Sequence, residues 1–222
     1  MMKQLLLAGV ASLSLVSAAP AAMLTIAVFD NGVLEGTTTS TDGTATLNIS
    51  TDPAFDTLNI AAAGNPFIPR ADLSSAVLNV TSAAISSLHI LTVDVFQSGV
   101  TAAAGTHTES TFTVNNLIGL PGPATLSTFW NGTGISSLGA TLASHNFPIG
   151  ITNDTFGPVN VPLSAALFSD AQQYRIAFSS PDQSANDTIQ LTTAIPEPST
   201  WVMLGLGFAG LMFVGATRKR IA

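Results

Sequence analysis

The chain has 222 residues, of which 46% are hydrophobic and only 9% charged, against about 25% charged in an ordinary globular domain. It has no cysteine, which excludes a disulfide scaffold, a thiolate metal site and a cysteine nucleophile. Between residues 30 and 195, twelve carboxylates stand against two guanidinium groups, a net charge of −10, and such a surface repels phosphate backbones, so nucleic acid is not expected as a partner.

Residues 1–22 read MMKQLLLAGVASLSLVSAAPAA. Lys3 supplies a positive start, an apolar stretch runs from Leu5 to about Val16, and Ala19 and Ala21 are spaced as an A-x-A cleavage site. This order is that of a secretory signal peptide. It predicts export through Sec-type machinery and cleavage by signal peptidase after Ala21 or Ala22.

From residue 23 to 194 the pattern is short alternation broken by turn residues. Ala45, Leu47 and Ile49 alternate with Thr44, Thr46 and Asn48; Leu91, Val93 and Val95 with Thr92 and Asp94; Phe112 and Val114 with Thr111 and Thr113; Tyr174, Ile176 and Phe178 with Arg175. Period two puts one face of each strand in a core and the other in water, and threonine's β-branch suits the outward positions. Asn31-Gly32, Asp42-Gly43, Gly64-Asn65-Pro66, Pro121-Gly122-Pro123 and Asn131-Gly132 are turn signals between these runs. The spacing predicts an all-β fold, an antiparallel β-sandwich of about 9–11 short strands, with one short helical turn within 164–173. A body of about 170 residues buries roughly 70% of its unfolded surface, enough to stand without disulfides.

Residues 195–222 form a third segment. Pro196-Glu197-Pro198 resists helix because each proline lacks an N–H and biases its predecessor toward extended geometry. An uncharged apolar run covers 201–217, roughly 26 Å as a helix against a hydrocarbon core of ~30 Å. Arg218, Lys219 and Arg220 then form a basic stop that stays on the cytoplasmic side, and Trp201 suits the outer interface. Within the run, Gly205, Gly207 and Gly210 match G-x-G-x-x-G, but no strand precedes them and no acid follows about twenty residues on, so they do not signal a dinucleotide site. Close helix approach through Gly205 and Ala209 is the better reading.

This order resembles the PEP-CTERM sorting tail of Gram-negative bacteria. The residues that carry the resemblance are Pro196, Glu197, Pro198, Ser199, Thr200 and Trp201, followed by the glycine-rich span and Arg218, Lys219 and Arg220. The resemblance implies recognition and processing by an exosortase in the inner membrane, and delivery to the cell surface or extracellular matrix.

No constellation in the body points to chemistry. His89, His107 and His145 show no metal-ligand spacing, and His89, in phase with Leu91, Val93 and Val95, reads as a hydrogen-bonded histidine at the core edge. No G-x-S-x-G elbow occurs. Glu35, Glu109, Asp52, Asp56, Asp94, Asp154 and Asp187 offer carboxylates, but nothing pairs two of them about a glycosidic bond, and they read as solvated. Asp52 with Asp56, Asn153-Asp154 and Asn186-Asp187 place hard oxygens in expected loops without an EF-hand pattern. Asn-x-Ser/Thr triplets at Asn48, Asn79, Asn131, Asn153 and Asn186 follow from composition. Catalysis, a cofactor and a resident metal are therefore not expected. The sequence leads to an exported structural or interaction protein of the cell surface or matrix, with exopolysaccharide as a candidate partner; the alternative is a surface carbohydrate-binding module or polysaccharide hydrolase.

Overall fold

The computed structural model describes residues 23–50, 52–65, 70–102 and 106–194. The expected signal peptide (1–22) and sorting tail (195–222, with the motif at 196–198, the span at 201–217 and the basic stop at 218–220) lie outside the described residues. Among the described residues no helix is long and apolar enough to cross a membrane.

Twelve strands follow in order: β1 (Met23–Asp30), β2 (Val33–Ser40), β3 (Thr44–Ile49), β4 (Phe55–Asn65), β5 (Arg70–Ser82), β6 (His89–Ala102), β7 (His107–Ile118), β8 (Ala124–Gly134), β9 (Ser137–Phe147), β10 (Asp154–Pro162), β11 (Leu167–Phe178) and β12 (Ser184–Ala194). They form two six-stranded sheets, β2-β1-β6-β11-β8-β9 and β10-β7-β12-β5-β4-β3, in which every pairing is antiparallel. The expected all-β sandwich is thus observed, with one strand more than the upper expectation.

The alternation explains how the sheets face each other. On β7, Thr108, Ser110, Phe112 and Val114 are buried and His107, Thr111, Thr113 and Asn115 are not. On β3 the buried set is Ala45 and Ile49 with Leu47 half-buried. The inner faces meet in one apolar cluster that includes Leu24, Ile26, Val28, Leu91, Val93, Phe112, Ile176 and Ile189. Without cysteine, this burial is the main source of stability.

Two turn regions differ from expectation. Asn31 and Gly32 take φ of 49° and 81°, the doubly positive pair that suits a two-residue hairpin, and they join β1 to β2 as expected. Asn131-Gly132, by contrast, lies inside β8, where Asn131 has φ 55° and the register with β9 shifts between Asn131 and Gly134. The reason is the Asn131 side chain: its Nδ2 donates to the Ala166 carbonyl (2.9 Å) and its Oδ1 accepts the Phe168 N–H (2.9 Å). Asn131 therefore spends its turn-forming capacity on a bulge that holds the start of β11, and the hairpin turn falls at Ile135-Ser136. The short helical turn expected within 164–173 is absent; a bend at 164–165 leads straight into β11.

Met23 opens β1 opposite Ser98, and Ala194 closes β12 opposite His107. Ala102 and His107 flank the β6–β7 connection, so both ends of the body emerge at the same end of the sandwich. The β1–β2, β5–β6, β7–β8, β9–β10 and β11–β12 connections lie at the opposite end, where Val33, Leu34, Leu88, Ile118 and Ile149 are exposed.

Gly139, paired with Asn131 across the bulge, has φ +97°, and a Cβ there would come within 2.0 Å of the Trp130 carbonyl oxygen. Backbone strain plus a backbone clash predicts that Gly139→Ala lowers stability by about 3 kcal/mol, which for a domain of this size lowers the melting temperature by roughly 6–12 °C. Gly122→Ala, where a Cβ meets nothing within 4 Å, serves as the control and should shift it little. Thermal unfolding followed by circular dichroism checks both; equal shifts would contradict the account of the bulge.

Candidate functional site

The sorting residues Pro196, Glu197, Pro198, Ser199, Thr200, Trp201, Arg218, Lys219 and Arg220 lie outside the described residues, so the body is where side-chain geometry can be read. It does not gather the histidines. His107 begins β7 and is exposed. His145 on β9 stacks on Phe156 (3.7 Å between centroids, 8° between planes) and meets Phe147 edge-on. His89 has Nδ1 at 2.6 Å from Asp30 Oδ2 and Nε2 at 3.2 Å from Ser87 Oγ, with its ring edge toward Phe55. The expected hydrogen-bonded histidine at the core edge is observed. The order hydroxyl, imidazole, carboxylate matches a nucleophilic triad in sequence of groups, but Ser87 stands exposed and the surface depressions described below lie elsewhere. Among the described residues no three His, Cys, Asp or Glu side chains come together as a metal cluster.

The carboxylates divide sharply. Glu35, Asp56 and Asp154 are exposed as expected, whereas Asp52, Asp94 and Asp187 are buried, a correction to their reading as solvated. Asp52 is held in by a turn of its own making, since its Oδ1 accepts the Ala54 N–H at 2.8 Å. Asp94 faces outward from β6, the third strand of its sheet, and its Oδ1 accepts from Gln173 Nε2 (2.9 Å). Burial pushes its carboxyl up to about 6, with the Gln173 hydrogen bond opposing the shift. Asp187 is on the inner face of β12, fully buried, with both oxygens unpartnered among the described residues. Burial pushes it up to about 8.

The inner faces also carry a polar layer toward the end where Met23 and Ala194 lie. Tyr174 Oη donates to the Ser75 carbonyl (2.7 Å) and accepts the Ile189 N–H (2.9 Å). Ser75 Oγ donates to Gln172 Oε1, and Gln172 Nε2 donates to the Leu73 carbonyl at 2.6 Å. These bonds tie β11 of one sheet to β5 and β12 of the other. Beyond them lies Asp170, 1% exposed; apart from its own backbone N–H, neither carboxylate oxygen meets a partner among the described residues. Burial first, and then the charge of Asp72, push its carboxyl up to about 8. Its strand neighbours in register are Gln97 and Trp130. A small satellite cluster of Val100, Leu163 and Leu167, with Trp130 and Leu142 against it, closes that end.

Asp170, Asp72, Gln97 and Gln172 were not singled out in the sequence. The signal was present: counting back by two from Tyr174 places Gln172 and Asp170 on the buried face. The surface depressions are shallow. One of about 350 Å³ is lined by small residues such as Thr44, Ala61, Ala63 and Ser74, and one of about 180 Å³ borders Gly43, Gly64, Asn65 and Asp72.

The described body is therefore an antiparallel β-sandwich module with a closed core and no walled catalytic cleft at these depressions. The chain that carries it ends in a PEP-CTERM protein-sorting motif: residues 194–219 match the sequence model of that motif. No curated protein matches the sequence. Among solved structures the chain is similar to the enzymatically active domain of tailspike protein 4 of bacteriophage CBA120, at 12% identity and a TM-score of 0.31, covering 75% of this chain and 19% of that one. It is also similar to a GH26-CBM35 β-(1,4)-mannanase of Podospora anserina (16% identity, TM-score 0.29, 71% of this chain and 29% of that one). A third is the K1 cleaved adhesin domain of Lys-gingipain from Porphyromonas gingivalis (10% identity, TM-score 0.31, 69% of this chain and 92% of that one). The chain thus spans less than a third of the first two proteins, and likenesses this distant carry no argument about its function.

The buried acids set the direction of pH dependence. Asp170 and Asp187 bind a proton in the folded state up to about pH 8, against 3.8 for the ordinary group. The stability associated with their protonated forms is fully present below pH ~4 and is lost as pH rises through ~8. In metal-free buffer the melting temperature should fall from pH 5 to pH 9. Asp170→Asn and Asp187→Asn should each raise it at pH 8 and flatten the slope. A melting temperature that rises over this range, or variants less stable than the parent at pH 8, would contradict the assignment.

Proposed function

We propose that the protein is an exported structural or interaction component of the cell surface or extracellular matrix, sorted and processed by an exosortase through its C-terminal tail. The observation that carries this reading is the PEP-CTERM motif match at residues 194–219. In this reading the signal peptide of residues 1–22 is removed by signal peptidase after Sec-type export. The span 201–217 holds an inner-membrane intermediate. Arg218, Lys219 and Arg220 stay on the cytoplasmic side, and Pro196, Glu197 and Pro198 are presented, unfolded into helix by neither proline, to the processing enzyme at the outer face.

The shape of the body supports this arrangement. Both of its ends emerge at one end of the sandwich, so a body tethered through residue 194 directs the opposite end away from the membrane. Eleven residues of β12 reach roughly 36 Å, and the far loops carry exposed Val33, Leu34, Leu88, Ile118 and Ile149 as contact points for other surface components, exopolysaccharide among the candidates. The carbohydrate-binding or hydrolase alternative calls for an aromatic platform or a converging carboxylate pair. Trp130 instead packs against the satellite cluster, and Asp94, Asp170 and Asp187 are separately buried.

In this reading the body does no catalysis, and Ser87 is a partner of His89 rather than a nucleophile. Incubation with a fluorophosphonate should leave Ser87 unlabelled; stoichiometric labelling that His89→Asn abolishes would establish the opposite. For sorting, Pro196→Ala and Glu197→Ala should leave export intact but retain full-length protein in the inner membrane. Cell fractionation with C-terminal mass spectrometry reads this out, and variants that reach the surface with normal processing would overturn the proposal.

A further inference from the structure

The outer face of the β10-β7-β12-β5-β4-β3 sheet divides into a ridge and a hollow. Register sets its side chains in rows that run across the strands. One row takes Thr155, Thr113 and Thr188 from β10, β7 and β12, and ends in Ala61 and Thr46 on β4 and β3. The next takes Thr111 and Gln190 from β7 and β12, then Ser74, Ala63 and Thr44 from β5, β4 and β3. The β10-β7-β12 half therefore stands up in branched threonines, and the hydroxyls of Thr113 and Thr155 meet at 3.2 Å. The β5-β4-β3 half sinks to alanine and serine, and there lies the depression of about 350 Å³.

The rows on either side of these two are polar in different ways. Toward the far loops stand amides: Asn115, whose Nδ2 donates to Asn186 Oδ1, and the register pair Asn48 and Asn59. Toward Ala194 stand two carboxylates, Glu109 and Asp72, either side of Thr192, whose Oγ1 donates to Asp72 Oδ1 at 3.4 Å. None of the four rows holds a lysine or an arginine.

We propose that a second copy of this chain docks on this face, its threonine ridge in the alanine hollow of the first. The two-fold axis runs parallel to the strands, between β12 and β5, and lays β7 of one copy over β4 of the other. Thr113 and Thr111 then meet Ala61 and Ala63 of the second copy. The same contacts recur on the other side of the axis, as an isologous interface requires. No carboxylate falls opposite another: Asp72 comes against Thr192 of the second copy, and Glu109 against Asn65. Six strands at about 4.8 Å and four rows at about 6.8 Å make a face roughly 29 Å by 27 Å. That area, about 800 Å², is the share of each partner in a standard stable interface. With the axis along the strands, both Ala194 residues leave the dimer at one end, as tethering to one membrane requires; this last point alone rests on the proposed function.

The test uses the full-length protein in detergent, which has no native cysteine. Ala61 and Thr113 lie three strands apart in one copy, roughly 14 Å, too far for a disulfide within the chain. On mild oxidation the double variant Ala61→Cys/Thr113→Cys should form a covalent dimer, seen at twice the monomer mass in non-reducing electrophoresis. Neither single variant should do so, because the axis brings neither position against itself. Thr92→Cys/Thr113→Cys, with Thr92 on the other sheet, should stay a single chain. Ala61→Arg, which fills the hollow with a long charged side chain, should halve the protein mass found by light scattering and keep the parent's circular dichroism. A monomeric parent overturns the proposal, as does cross-linking no greater in the Ala61→Cys/Thr113→Cys variant than in the others. A dimer that survives Ala61→Arg overturns it too, since association then arises elsewhere, as in the span 201–217. None of these outcomes bears on the sorting measurement.

Discussion

The contact on which the two sheets depend is the buried polar tie between β11 and its facing strands. Tyr174 Oη is shared between the Ser75 carbonyl and the Ile189 N–H, and Gln172 spans from Ser75 Oγ to the Leu73 carbonyl. Apolar contacts between inner faces are non-directional and would tolerate sliding of one sheet over the other. Hydrogen bonds that must all be made at once do not, because each buried group left unmade costs about 1–3 kcal/mol. In a chain without cysteine, this tie fixes the mutual position that a disulfide fixes in many exported sandwiches. Its position also sets the polarity of the interior: Phe55, Leu117, Ile176 and Phe178 lie toward the far loops, and Asp170, Gln97 and Thr193 toward the end that holds Ala194.

Much of the fold was legible because period two is a direct imprint of a half-buried sheet. Leu91, Val93 and Val95, or Phe112 and Val114, read as inward before any pairing was known, and they are. The miscounts have local causes. Asn131-Gly132 carries the chemistry of a turn, yet Asn131 uses its amide on Ala166 and Phe168, a contact between residues far apart in the chain. The segment 164–173 lacks clear alternation because its inward residues include Asp170 and Gln172, which hide the pattern. Asp94 reads as outward and is outward, but the third strand of a six-stranded sheet is sheltered by neighbours on both sides, which no single strand reveals. The buried acids were therefore the least legible part of the candidate site: sequence gives the face of a side chain, and burial depends on what covers that face.

The two addresses and the body fit together mechanically. Residues 1–22 have the pattern expected of an export signal, residues 194–219 match a sorting motif, and the sandwich between them brings its own two ends to one side. A compact body of this kind can be tethered by its tail without strain while the opposite loops stay clear. Of the twelve carboxylates that stand against two guanidinium groups between residues 30 and 195, Asp52, Asp94, Asp170 and Asp187 are buried; the rest still outnumber the cations and disfavour contact with anionic polymers. They favour cations and weakly basic or neutral partners.

In the proposed function the tail is a removable address. The most direct measurement is the intact mass of the protein recovered from outside the inner membrane, in a host with its exosortase and in one without. A removable tail gives a mature species that begins near residue 22 or 23 and lacks the span and Arg220 in the first host, and a species that retains Arg220 in the membrane in the second. The same mass in both hosts, with Arg220 present and the same location, would make the tail a permanent anchor and contradict the account.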